Sequence, residues 1–115
     1  MPNGFASAWV SKAKLLWENP KPSEAFVSQT VPIPKNLSSN MLLVVYTPTT
    51  EIEQALNSML IIKGIKFRLI GMAYNGFYGS RTAQYTDDGV DFSIAGNKTG
   101  QQDDTKAVPL YIFSI

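Results

Sequence analysis

The chain has 115 residues, is 44% apolar and 17% charged, and carries a formal net charge of +1. This suits one folded domain with a substantial core, too apolar for disorder and too near neutral to attract nucleic acid or an anionic membrane by its field. It contains no cysteine and no histidine, which excludes disulfides, thiolate chemistry, Ser-His and Cys-His catalysis and the commonest zinc ligand.

Residues 1–11 read as a flexible lead-in to a single domain. Met1 to Phe5 lacks the basic segment and long apolar core of a signal peptide. A first strand follows, in which Ala13, Leu15 and Trp17 alternate with Lys12, Lys14 and Glu18 and which stops at Asn19-Pro20. Asn19-Pro20-Lys21-Pro22-Ser23 is a rigid turn, since its two prolines cannot donate to a ladder. The spacing predicts a second strand over Ala25 to Ile33, with Val27, Val31 and Ile33 on one face and with Pro32 and Pro34 holding its end at a sheet edge.

Met41 to Tyr46 is apolar on both faces, as expected of a central strand. Thr50 and Glu53 have the spacing of a capping box for a short helix within residues 50–57, and a plain surface crossing fits equally well. Ser58 to Lys63 and Ile65 to Met72 read as strands separated at Gly64. In the second, Ile65, Phe67 and Leu69 point inward and Lys66 and Arg68 outward. No stretch is long enough to cross a bilayer, so no membrane insertion is expected.

Asp88-Gly89 favours a two-residue hairpin loop. That loop sets Tyr85 opposite Phe92 and Ala83 opposite Ile94, with Val90 and Arg81 on the same face. Asn97 to Lys106 is a polar, mobile connection to the last strand. In that strand Val108, Leu110 and Ile112 take one face and Tyr111, Phe113 and Ile115 the other. A terminal strand apolar on both faces is either central or shared with a partner subunit. Seven or eight short strands with at most one short helix specify an all-β antiparallel sandwich, jelly-roll-like.

The chemistry-bearing motifs are few. Asp87-Asp88-Gly89-Val90-Asp91 lacks the ligand spacing and terminal Glu of an EF-hand loop, so neither a metal nor any other cofactor is expected. Asp87, Asp91, Asp103 and Asp104 are the carboxylates available to a glycosidase, but all fall in turns or point outward. Asn36-Leu37-Ser38 and Asn97-Lys98-Thr99 match the glycosylation sequon and read as coincidences. Tyr74-Asn75-Gly76-Phe77-Tyr78-Gly79 sets three aromatics around a turn, which suits stacking on a sugar or recognising a protein surface or, for Phe77 and Tyr78, plugging one end of the sandwich. If one loop cluster binds a ligand, it is Tyr74, Phe77, Tyr78 and Arg81.

Lys14-Leu15-Leu16-Trp17-Glu18-Asn19-Pro20-Lys21-Pro22 opens an ordered set of motifs, followed by Phe26 and Gln29 before a Val-Pro-Ile strand. Arg81, the hairpin leading to Val90-Asp91-Phe92, and the closing Val108 to Ile115 complete it. The set resembles a small domain at the C-terminal end of tail-fibre or minor structural proteins of bacteriophages and prophages of gut bacteria. The closing strand departs from that pattern, with Phe113-Ser114 in place of Tyr-Gly. The resemblance implies a non-enzymatic virion structural domain, tail-associated and binding host-surface carbohydrate, found in the virion or in the bacterial cytoplasm before assembly. Its expected partners are its own copies in a homo-oligomer such as a trimer, other virion proteins, and a cell-surface glycan, without nucleic acid. The competing readings are a pure assembly module without an external ligand and a carbohydrate-active enzyme.

Overall fold

The computed structural model describes residues 13–51 and 55–115. The expected lead-in and Lys12 lie outside the described residues, as do residues 52–54 of the possible capping-box helix. The described residues contain no helix and nine strands. These are β1 (Lys14–Glu18), β2 (Gln29–Val31), β3 (Met41–Thr49), β4 (Asn57–Ile62), β5 (Lys66–Ala73), β6 (Gly76–Thr86), β7 (Gly89–Phe92), β8 (Gly96–Asn97) and β9 (Lys106–Ser114).

They form two antiparallel sheets, ordered β1-β9-β3-β4 and β2-β7-β6-β5, with β8 added to β6. The β-sandwich expected from the sequence is therefore present. β1 beside β9 and β2 beside β7 nest the early and late parts of the chain, as in a jelly roll. β3–β4 and β5–β6–β7 are neighbours in sequence as well as in space. Leu42, Val44, Tyr46, Ile61 and Ile112 of the first sheet form one buried cluster with Leu69, Ala83, Tyr85, Val90 and Phe92 of the second, the two-layer burial that a sandwich requires.

β3 is an interior strand, as its two apolar faces led one to expect. β9 is interior too, the first of the two positions its faces allowed, and β2 is an edge strand, as Pro32 and Pro34 demand. Several alternations break at bulges. Leu15 pairs with Phe113 and Trp17 with Ile112, so Leu16 is an extra residue in β1. Leu16 and Trp17 then pack against the core while Leu15 is exposed, correcting the expected Leu15/Trp17 face. Val45 pairs with Tyr111 but Tyr46 with Pro109, which makes Leu110 the extra residue in β9. Val108 and Ile112 stay buried and Leu110 leaves their row.

The second strand is shorter than expected. Val31 and Ile33 are buried, but Val27 is exposed because residues 25–28 run as a loop pinned by Phe26. Ile65 is likewise exposed at the crossing between sheets, whereas Leu69 is buried and Phe67 packs against the core. The β6–β7 hairpin pairs Thr86 with Gly89 and Tyr85 with Val90, so its loop is Asp87-Asp88 rather than Asp88-Gly89. Ala83, Tyr85, Val90 and Phe92 keep their common face under this shift, and Ile94 falls beyond the strand, exposed.

Asn19 holds the opening and closing segments together. It is buried, its backbone N–H donates to Leu110 O (2.8 Å), and its Nδ2 donates to Pro109 O (2.8 Å). Its Oδ1 accepts from the Lys21 N–H (2.8 Å), which fixes the proline turn. A bulge leaves carbonyls without ladder partners, and here one residue supplies two donors to them. Asn19→Ala is expected to cost about 2 kcal/mol in urea unfolding, because Pro109 O is left buried and unpaired. Asn19→Asp, which cannot donate, should lose a similar amount; a neutral Asn19→Asp would overturn this role.

Candidate functional site

Two-residue loops give the sandwich its exposed ends. β5 and β6 pair Ala73 with Gly76, so Tyr74 and Asn75 form the hairpin tip, and Tyr74 is 93% exposed. Met72 pairs with Phe77 and Gly71 with Gly79, which makes Tyr78 an extra residue of β6. Across the ladder, Phe77 shares an exposed apolar patch with Met72.

The bulge gives Tyr78 a different environment. Its hydroxyl donates to Asn75 Oδ1, and the Lys106 ammonium sits 5.8 Å from its ring centroid. Tyr78 lines a cleft of about 230 Å³ together with Glu51, Asn97, Lys98, Thr99, Asp103 and Lys106. The hairpin thus brings Tyr74, Phe77 and Tyr78 to one end of the molecule but divides them between an outer patch and this cleft.

Arg81 belongs to neither. It is fully buried, and its guanidinium donates to four backbone carbonyls: Phe26 (2.7 Å) and Ser93 (3.1 Å) from Nη1, Asp104 (3.1 Å) and Lys106 (2.9 Å) from Nη2. The Phe26 ring lies 5.2 Å from the guanidinium carbon and meets Trp17 and Phe92 edge-on. Burial pushes the Arg81 pKa down to about 10, partly opposed by the Asp104 charge, and the group stays charged at neutral pH. Arg81 is therefore a structural hub, and the expectation that it would meet a ligand from a loop is corrected.

Lys106 is the residue that sequence reasoning missed. It is only 6% exposed, and its Nζ donates to Thr49 Oγ1 (3.1 Å) and pairs with Glu51 (3.2 Å), with Asp103 Oδ2 at 3.8 Å. Its stem crosses Gly79, where an added Cβ would lie 2.6 Å from Lys106 Cβ and 2.4 Å from Gly96 O. The one signal was a lysine at the mouth of an otherwise apolar strand. The loop before it is no loose connection: Asn97 Oδ1 accepts from the backbone N–H groups of Thr99 and Gln101 and from Thr99 Oγ1. Asp103 accepts from the Thr105 hydroxyl (2.6 Å), which holds its carboxyl below the usual range, helped by the Thr105 N–H and by Lys106.

Asp87, Asp91 and Asp104 are each held in a contact within the fold. Asp87 pairs with Lys63 at 2.8 Å, and this hydrogen bond holds the Asp87 carboxyl down and the Lys63 ammonium up, both at the surface. Asp91 accepts from the Thr30 hydroxyl across the β2–β7 ladder, and Asp104 Oδ1 accepts from the Ala95 N–H. Among the described residues no group of three or more His, Cys, Asp or Glu could hold a metal ion, and no helix is long and apolar enough to cross a membrane.

The outer face of the first sheet is the other notable surface. Register places Leu15, Phe113, Leu43 and Leu60 in one row across all four strands, flanked by the Met41–Ile62 pair and by Tyr111 beside Val45. Leu15, Met41, Leu60 and Ile62 are exposed, and Tyr111 and Phe113 touch at 6.1 Å between ring centroids. At one end this face runs into a groove of about 310 Å³ lined by Pro22, Thr47, Leu56, Leu110 and Tyr111 among others. No protein-family model, curated protein or solved structure matches this chain.

Proposed function

We propose that this chain is a non-enzymatic assembly and attachment domain of a bacteriophage or prophage virion, tail-associated, that works as a homo-oligomer. The observation that carries the reading is the outer face of the β1-β9-β3-β4 sheet, where the row Leu15–Phe113–Leu43–Leu60 spans the sheet without a charge. An apolar row that continues across a whole sheet, with Leu15 and Leu60 exposed and Leu43 and Phe113 half-buried, is a feature that suits a contact surface. A second copy of the chain suits this uncharged row, because like meets like there without electrostatic cost, with Glu18 beside Tyr111 the charged residue at its margin. The phage setting rests on the resemblance of the opening and closing segments, which Asn19 joins in space. Glycan attachment is favoured by Tyr74, held almost fully exposed at a hairpin tip beside Phe77. Weak attachment of this kind gains from repeated copies.

Light scattering after size exclusion tests the assembly. The chain should run as a multimer, and Leu60→Lys, a change on the outer face of β4, should return a folded monomer. A wild-type chain that stays monomeric at high concentration would overturn the assembly reading.

A further inference from the structure

We propose that the cleft between Tyr78, the Asn97–Thr99 turn and Lys106 binds one neutral sugar ring. The inference rests on the attachment reading above and moves its site from the hairpin tip into the cleft.

Charge decides the ligand class. Glu51 and Asp103 face Lys98 and Lys106 within the same lining, so the formal charges cancel. An anion would meet two carboxylates, and a cation would meet two ammonium groups. A neutral polyol meets neither penalty. The volume points the same way, because about 230 Å³ is smaller than the roughly 300 Å³ at which drug-sized pockets begin. One ring fits better than an extended chain.

The hydrogen-bonding groups also match a sugar. Lys106 Nζ has three donors, of which Thr49 Oγ1 at 3.1 Å and Glu51 at 3.2 Å occupy two. The third faces Asp103 Oδ2 across 3.8 Å, too far for a direct hydrogen bond. A hydroxyl can accept from the ammonium and donate to the carboxylate at once, and only a group with both capacities spans such a pair. Asn97 also lines the cleft, and its Oδ1 is consumed by the turn, so its side chain can serve a ligand only as a donor through Nδ2. Tyr78 adds an aromatic wall for the C–H groups of a sugar ring, at the part of its ring that the Lys106 ammonium, 5.8 Å from the centroid, leaves uncovered. The site is built in advance, since Lys106 is buried and Gly79 lets its stem cross the sheet.

The test is a backbone-amide NMR titration of the whole chain with D-glucose, D-galactose, D-mannose and N-acetyl-D-glucosamine. N-acetylneuraminate and putrescine serve as anionic and cationic comparisons. At least one neutral sugar should give saturable shifts at Tyr78, Asn97 to Thr99 and Lys106, with millimolar affinity. Tyr78→Leu should weaken that binding about tenfold, and Tyr78→Phe, which keeps the ring, should retain it. Unchanged affinity in a folded Tyr78→Leu would remove the aromatic wall and overturn the proposal. Tighter binding of N-acetylneuraminate or putrescine would overturn the neutral class. Saturable shifts confined to Tyr74 and Phe77 would overturn the cleft while keeping the attachment reading. No shift with any sugar would overturn both.

Discussion

Arg81→Ala is expected to lower the unfolding free energy by about 3–5 kcal/mol, a large share of the 5–15 kcal/mol typical of a single domain. Four carbonyls from three separate segments converge on one guanidinium: Phe26 from the proline-turn loop, Ser93 after β7, and Asp104 and Lys106 at the entry to β9. Removing the side chain strands these buried acceptors and opens a cavity under Phe26, so desolvation and lost packing add together. Arg81→Lys keeps the charge, but one ammonium cannot reproduce the planar fork that reaches all four oxygens. It should fall between wild type and alanine. Chemical denaturation measures both, and a loss under 1 kcal/mol for the alanine variant would show that the carbonyls find other donors.

Gly89→Ala should cost about 3 kcal/mol or more. Gly89 has φ +135°, where an L side chain is strained, and an added Cβ would lie 2.1 Å from Val31 O and 3.0 Å from Pro32 Cα. Both offending atoms are backbone, so no rotamer change relieves the contact. Among the described residues β2 pairs only with β7, and it is three residues long, so the expected response is detachment of β2. Amide exchange on the Gln29–Val31 strand should accelerate well before global unfolding. Native-like protection there in Gly89→Ala would show that the hairpin shifts instead.

This glycine shows what a local reading could and could not obtain. Asp88-Gly89 marked a hairpin pairing Tyr85 with Phe92 and Ala83 with Ile94. The hairpin is there with Ala83, Tyr85, Val90 and Phe92 buried, but Tyr85 pairs with Val90 and Ala83 with Phe92, and Ile94 is exposed. The loop is one residue earlier, because Gly89 is needed for the approach of β2 rather than as a central turn residue. Among non-glycine residues described, only Ala107 has positive φ, so neither Asp87 nor Asp88 adopts the conformation a type I′ turn requires. A tertiary contact had outranked turn chemistry.

The candidate site was legible only in part. Tyr74, Phe77 and Tyr78 share one end of the molecule, as their spacing around a turn implied, but a bulge sends Tyr78 to the cleft. A bulge leaves no mark on hydrophobic alternation until the partner strand is known. Arg81 shares the face of Ala83 and Tyr85, as expected, and that face is the core. Sequence alone gave no reason for burying an arginine, since its partners are backbone carbonyls 12 to 55 positions away.

The sequence by itself determined the class of fold, the approximate bounds of most strands, the edge role of β2 and the interior role of β3. Those follow from period-two alternation, β-branched runs and prolines, which act within a few residues. It predicted seven or eight strands where nine form, and left the last strand as either central or shared with a partner. Only the tertiary structure decided which residues were displaced by bulges, that Asn19 and Arg81 would serve distant carbonyls, and that Lys106 would lie beneath a cleft with Tyr78. Each of these depends on which strand lies opposite which. Pairing joins residues far apart in the chain, and its energy belongs to the pair rather than to either segment.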